Sequence, residues 1–140
     1  MVVSLTAAVP KTARKSIVQD AVRMKKRHII LLVEDNDDLR GMFRTALVVA
    51  GFHVQEAADG YDALRLLDEE TPALVVLDLR LPLVDGREVL EEMRQQQKRV
   101  PVVIVTASDD ELAGFDVKCV MRKPVTPEKL IATVMNCLSK

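Results

Sequence analysis

The stretch that most constrains this chain is Ala73-Leu74-Val75-Val76-Leu77-Asp78-Leu79-Arg80-Leu81-Pro82. Six of its first seven residues are apolar, a carboxylate stands near the end of the run, and a proline follows four residues later. An uninterrupted apolar run of this length reads as a strand covered on both faces, as in a parallel sheet. An ionised aspartate in the middle of such a strand would be costly, because a buried charge needs partners. At the strand's carboxyl end the same residue projects into the crevice where open α/β sheets hold their ligands. The function of the chain turns on what meets Asp78 there.

The neighbouring segments alternate in period. Ile29 to Val33 is an apolar run ending in Glu34-Asp35, and Asn36 caps a helix with Leu39, Met42, Phe43, Ala46, Leu47 and Ala50 at helical spacing, closed by Gly51. His53 to Ala57 reads as a second strand, and Asp59 caps a helix with Ala63, Leu64 and Leu67 inward. After the central strand, residues 73–78, Asp85-Gly86 opens a helix with Val89, Leu90 and Met93 inward. Residues 101–106 form another buried strand, and Val117 to Met121 the last one, with Lys118 suited to a sheet edge. Between them Ser108 and Glu111 make a capping box that Gly114 cuts short. Thr126-Pro127 starts a final helix that buries Leu130, Ile131, Val134 and Leu138. Five strands alternating with five helices predict an α/β fold with a doubly wound, five-stranded parallel sheet.

Composition narrows the class. A chain of 140 residues, 49% hydrophobic and 29% charged, fits one folded domain. Two units are expected, a basic extension over residues 1–27 and a folded domain over 28–140. The extension holds seven Lys/Arg and one acidic residue, whereas the remainder holds thirteen basic and twenty acidic. Residues 11–27 read equally well as a basic amphipathic helix or as a solvated arm. No apolar run is long enough for a membrane span, and the first residues lack the basic region of a signal peptide. Cys119 and Cys137 have no metal-like spacing and read as small buried hydrophobes, in keeping with a cytoplasmic protein.

In a parallel sheet all carboxyl ends share one rim. Glu34 and Asp35 arrive there from the first strand, Asp78 from the third, Thr106 from the fourth and Lys123 from the fifth. Three close carboxylates repel one another, and a hard divalent cation such as Mg²⁺ relieves that repulsion. One carboxylate is left as a nucleophile, and aspartate accepts phosphoryl groups covalently. Phosphoryl transfer needs mainly positioning and charge neutralisation, which the ion, the ammonium and the hydroxyl supply. The implied chemistry is formation and hydrolysis of an aspartyl phosphate.

With those residues in place the sequence resembles the receiver domain of two-component response regulators, the CheY-like family. The matching segments are Leu32-Val33-Glu34-Asp35-Asn36, Val76 to Pro82 with Asp85-Gly86, Val105-Thr106-Ala107, and Lys123-Pro124. The resemblance implies a flavodoxin-like strand order 2-1-3-4-5. It implies that Asp78 is the phosphoacceptor and that Mg²⁺ is held by Asp35 directly, by Glu34 mainly through water, by Asp78 and by the backbone carbonyl of Arg80. It further implies that Lys123 pairs with a phosphoryl oxygen, that Thr106 is the switch hydroxyl, and that the Lys123–Pro124 bond is cis. The implied partners are a sensor histidine kinase or phosphotransfer protein and a downstream protein target. Neither a DNA-binding domain nor a membrane span is expected, nor is turnover of an external substrate.

The chain also departs from the family pattern. Only residues 107–116 separate the fourth strand from the fifth, so a shortened fourth helix is expected. Val120 stands where the family commonly has Tyr or Phe three residues before the lysine, and Arg80 puts a long cation beside Asp78. No output domain is expected after the last helix. The competing readings are a receiver-like adaptor that does not switch, the receiver fragment of a larger hybrid kinase, and, last, a phosphatase acting through Asp78.

Overall fold

The computed structural model describes residues 29–107, 112, 114 and 119–139. The expectations for residues 1–27, His28, the Ser108–Glu111 capping box and Lys118 lie outside these residues. Five strands, β1 (Ile29–Val33), β2 (His53–Ala57), β3 (Leu74–Asp78), β4 (Val102–Thr106) and β5 (Cys119–Arg122), form one parallel sheet in the order β2-β1-β3-β4-β5. The described helices are α1 (Asp37–Val49), α2 (Gly60–Glu69), α3 (Gly86–Gln95) and α4 (Pro127–Leu138). The expected architecture and strand order are therefore found. The shortened helix expected after β4 falls largely outside the described residues.

Each inner strand is buried on both faces because its alternate side chains enter two separate cores. Ile30, Leu32, Leu74, Val76, Val103 and Val105 point to one side, where Phe43 and Leu47 of α1 and Leu130 and Val134 of α4 cover them. Leu31, Val33, Val75, Leu77 and Ile104 point to the other, against Ala63 and Leu67 of α2 and Val89 and Met93 of α3. Helical spacing located the inward stripes but not their edges. Met42 and Ala50 face solvent rather than the core, and Ile131 and Leu138 are only partly buried, while Cys137 is buried in their place. The last strand is described over Cys119–Arg122, one residue past its expected end, with Lys123 directly after it, and its expected start at Val117 lies outside the described residues. Cys119 and Cys137 are buried, as expected, and neither is in a disulfide.

The caps that start the helices also shape the rim. Asn36, Asp59, Asp85 and Thr126 each accept a hydrogen bond from the backbone N–H three residues on, and three of the four directly follow or closely follow a strand's carboxyl end. Replacing Asn36 by alanine removes the acceptor for the Leu39 N–H, 2.8 Å away. Asn36→Ala should cost about 1 kcal/mol in urea unfolding, with the slope against denaturant unchanged.

Candidate functional site

Parallel register brings the site together. Val33 pairs with Leu77, so Glu34 and Asp78, each one residue further on, come to lie side by side. Asp78 pairs with Val105, and Thr106 with Arg122, so Thr106 and Lys123 follow at the same level. The Lys123 N–H donates to the Thr106 carbonyl at 2.9 Å. All the residues expected at the rim are thus on strand ends or immediately after them.

Asp78 is the centre of the contacts. Its Oδ1 accepts from the Arg80 N–H at 2.9 Å, and its Oδ2 accepts from Lys123 Nζ at 2.9 Å. Lys123 also stands 3.6 Å from Glu34 Oε1. Glu34 and Asp78 are 1% and 3% exposed, whereas Asp35 is open to solvent. One carboxylate oxygen from each of Glu34, Asp35 and Asp78 lies within 4.8 Å of the others. Thr106 is fully buried at the end of β4. Arg80 turns its N–H to Asp78 while the residue as a whole is exposed, and the Lys123–Pro124 bond is cis.

These donors suit a hard divalent cation. The set is all oxygen, two of its members are withdrawn from water, and Glu34 Oε1 is buried with no hydrogen-bond partner among the described residues. The Lys123 ammonium, at 3.6 Å, offers that atom charge but no hydrogen bond.

Burial also sets the proton balance. It pushes the Glu34 carboxyl from 4.5 up to about 7, assisted by the charge and hydrogen bonding of Asp78 and by Asp35, and opposed by the Asn36 N–H that reaches Oε2 at 3.2 Å. Burial works against the Lys123 ammonium, yet the hydrogen bond and charge of Asp78, with Glu34 behind them, hold its proton above the ordinary lysine value. For Glu34 the folded state keeps a proton that the unfolded chain has released. Its contribution to stability is therefore fully present below 4.5 and is lost as pH rises to about 7. Lys123 does not titrate in that window. Glu34→Gln should accordingly flatten the stability–pH profile between 4.5 and 7, where the slope due to Glu34 is at most about 1.4 kcal/mol per pH unit. Thermal melts of both proteins across that range check this. Mg²⁺ should relieve the same penalty in the unsubstituted chain.

Sequence reasoning missed residues whose role is tertiary. Gly60, the first residue of α2, lies against the backbone carbonyl of Val84, so a Cβ there would collide with the loop that follows Asp78. Gly86 faces the backbone of Asp78 and Leu79 in the same way, and its N–H donates to the Leu79 carbonyl at 2.9 Å. These two glycines let that loop fold back tightly over the strand end. Gly86 was visible beside its cap, but nothing around Gly60 signalled a close approach. Arg40 was missed as well. It donates to the Glu34 carbonyl at 2.9 Å, and its only sequence signal was the three-residue spacing from Asp37.

Comparison with known proteins agrees with this geometry. The family model described as "Response regulator receiver domain" matches residues 30–135. The alkaline phosphatase synthesis transcriptional regulatory protein PhoP of Bacillus subtilis is 34% identical over 116 residues, covering 79% of this chain and 48% of that protein. The regulatory protein AtoC of Escherichia coli is 41% identical over 91 residues, covering 64% of the chain and 20% of that protein. The chain thus spans about half, or less, of the length of the curated relatives it matches. Among solved structures, the chemotaxis response regulator CheY4 of Vibrio cholerae superposes with a TM-score of 0.72 at 27% identity, over 78% of this chain and 97% of that one. The receiver domain of the Francisella response regulator 1452 gives 0.73 at 25%, over 79% and 96%. Among the described residues no helix is long and apolar enough to cross a membrane.

Proposed function

We propose, from the premise that this chain belongs to the response regulator receiver family, that Asp78 is its phosphoacceptor and that the donor is a phosphohistidine on a sensor kinase or phosphotransfer protein. The family accepts phosphoryl groups in two-component signalling. The observation that carries the assignment is the Asp78 carboxylate, buried at a strand end and gripped by Lys123 and the Arg80 N–H beside two further carboxylates.

One Asp78 oxygen attacks phosphorus, the phosphorus–nitrogen bond breaks, and the electron pair stays on the imidazole ring. Glu34, Asp35, Asp78 and the Arg80 carbonyl would hold a Mg²⁺ ion, which would supply charge neutralisation for the phosphoryl oxygens. Lys123, already within hydrogen-bond reach of Asp78, passes to a phosphoryl oxygen. Thr106, at the same rim, offers a hydroxyl to another. The proposal includes a cytoplasmic setting, a receiver unit over residues 28–140, a basic extension before it, output through a downstream protein, and no turnover of an external substrate.

The test is labelling with acetyl phosphate and Mg²⁺. One phosphoryl group per chain, lost at alkaline pH, supports an acyl phosphate, and absence of label rejects it. A second reading, an adaptor that binds without switching, is favoured by Val120. It lies on β5 on the face away from the Cys119–Met121 core and is 37% exposed, so no buried ring stands there to rotate. If amide NMR shifts on adding Mg²⁺ and a phosphoryl mimic stay confined to the rim, that reading replaces the switch.

A further inference from the structure

We propose that Arg40 is a positioning residue for the acidic rim, setting the Glu34–Asp35 segment and through it the affinity of that rim for a divalent cation. The inference rests on the reading of Glu34, Asp35 and Asp78 as the Mg²⁺ site.

Arg40 belongs to the first turn of α1, and its side chain is only 17% exposed. Every nitrogen of the guanidinium is used. Nη1 donates to the Glu34 carbonyl at 2.9 Å, Nη2 to Asp37 Oδ1 at 2.7 Å, and Nε lies 3.4 Å from Glu56 Oε1. Arg44 holds the other Glu56 oxygen at 3.2 Å. One planar cation therefore ties together the turn after β1, the start of α1 and the edge strand β2.

The peptide group that begins with the Glu34 carbonyl joins the two acidic residues. Holding its plane restrains ψ of Glu34 and φ of Asp35, and with them the directions in which the two side chains leave the backbone. Arg40 touches neither carboxylate, so it acts on a bound ion only through this segment. A lysine carries the same charge but cannot reproduce three divergent contacts in one plane.

Charge and positioning predict opposite signs. A guanidinium near a cation site opposes the ion, so a purely electrostatic Arg40 would weaken binding, and its removal would tighten it. A positioning Arg40 strengthens binding, as outer contacts of metal ligands generally do.

Calorimetric titration of the full chain with Mg²⁺ alone separates these. Arg40→Met should weaken binding on the order of tenfold. Arg40→Lys should weaken it comparably despite keeping the charge, and Glu56→Gln should weaken it less, in the same direction. In metal-free ¹⁵N spectra the Asp35 and Asn36 amides should shift in all three, with far-UV circular dichroism unchanged. Should Arg40→Met fail to fold, the other two variants carry the test. Unchanged or tighter binding, or full rescue by lysine, overturns the proposal. Asp35→Asn is the control for the site itself. If it binds Mg²⁺ as the unsubstituted chain does, or if that chain binds none, the cation site fails and Arg40's role with it.

Discussion

Asp78→Asn abolishes phosphoryl uptake: incubated with acetyl phosphate and Mg²⁺, the variant should carry no acyl phosphate while the unsubstituted chain is labelled. The substitution keeps the shape of the side chain, and the amide oxygen still accepts from the Arg80 N–H, which lies 2.9 Å from Asp78 Oδ1. What disappears is the negative charge and the nucleophilic lone pair. The Lys123 ammonium loses its 2.9 Å partner and is left with Glu34 at 3.6 Å. Glu34 in turn loses the Asp78 charge that helps to hold its carboxyl near 7, so it should ionise more readily in the variant. Intact protein mass spectrometry reads the first effect and the pH dependence of thermal unfolding the second. Full labelling of the variant would show that another residue is the acceptor.

Lys123→Met gives the second large effect, and its two parts run in opposite directions. The ammonium is aimed at the acceptor before any phosphoryl group arrives, so it costs no reorganisation when charge develops there. Its loss should slow labelling from acetyl phosphate by about 10²–10³-fold at saturating Mg²⁺. The same ammonium opposes a divalent cation in the metal-free protein, because it stands against two of the three carboxylates. Its loss should therefore tighten Mg²⁺ binding. Slower labelling with tighter Mg²⁺ binding identifies Lys123 as the group that meets the incoming charge. A rate reduced less than about tenfold would remove it from that role.

Most of the rim was readable because its signals are local. An apolar run that stops at a carboxylate fixes both the strand and its end, and Asn36, Asp59, Asp85 and Thr126 mark the helix starts within one turn. Once the strands are parallel, their ends must coincide, which is why Glu34, Asp78, Thr106 and Lys123 could be grouped from four distant segments. The remainder depends on what packs against what. Helical period placed Phe43 and Leu47 inward, but Met42 lies just past the edge of the covered stripe, and only the position of the sheet decides that. Gly60 meets Val84 across two elements, and Arg40 reaches a carbonyl six residues back as well as a neighbouring strand. Neither meeting leaves a pattern along the chain.

Among the described residues β2 pairs with β1 alone, so its other side presents a row of backbone donors and acceptors. Such a row invites polymerisation through added strands from other molecules. Here Glu56, on that strand, is clamped between Arg40 and Arg44 of α1. An incoming strand would have to settle beside a fixed cluster of charge and displace its water. The guanidinium proposed to set the acidic rim thus also places fixed charge beside the edge that an added strand would have to join.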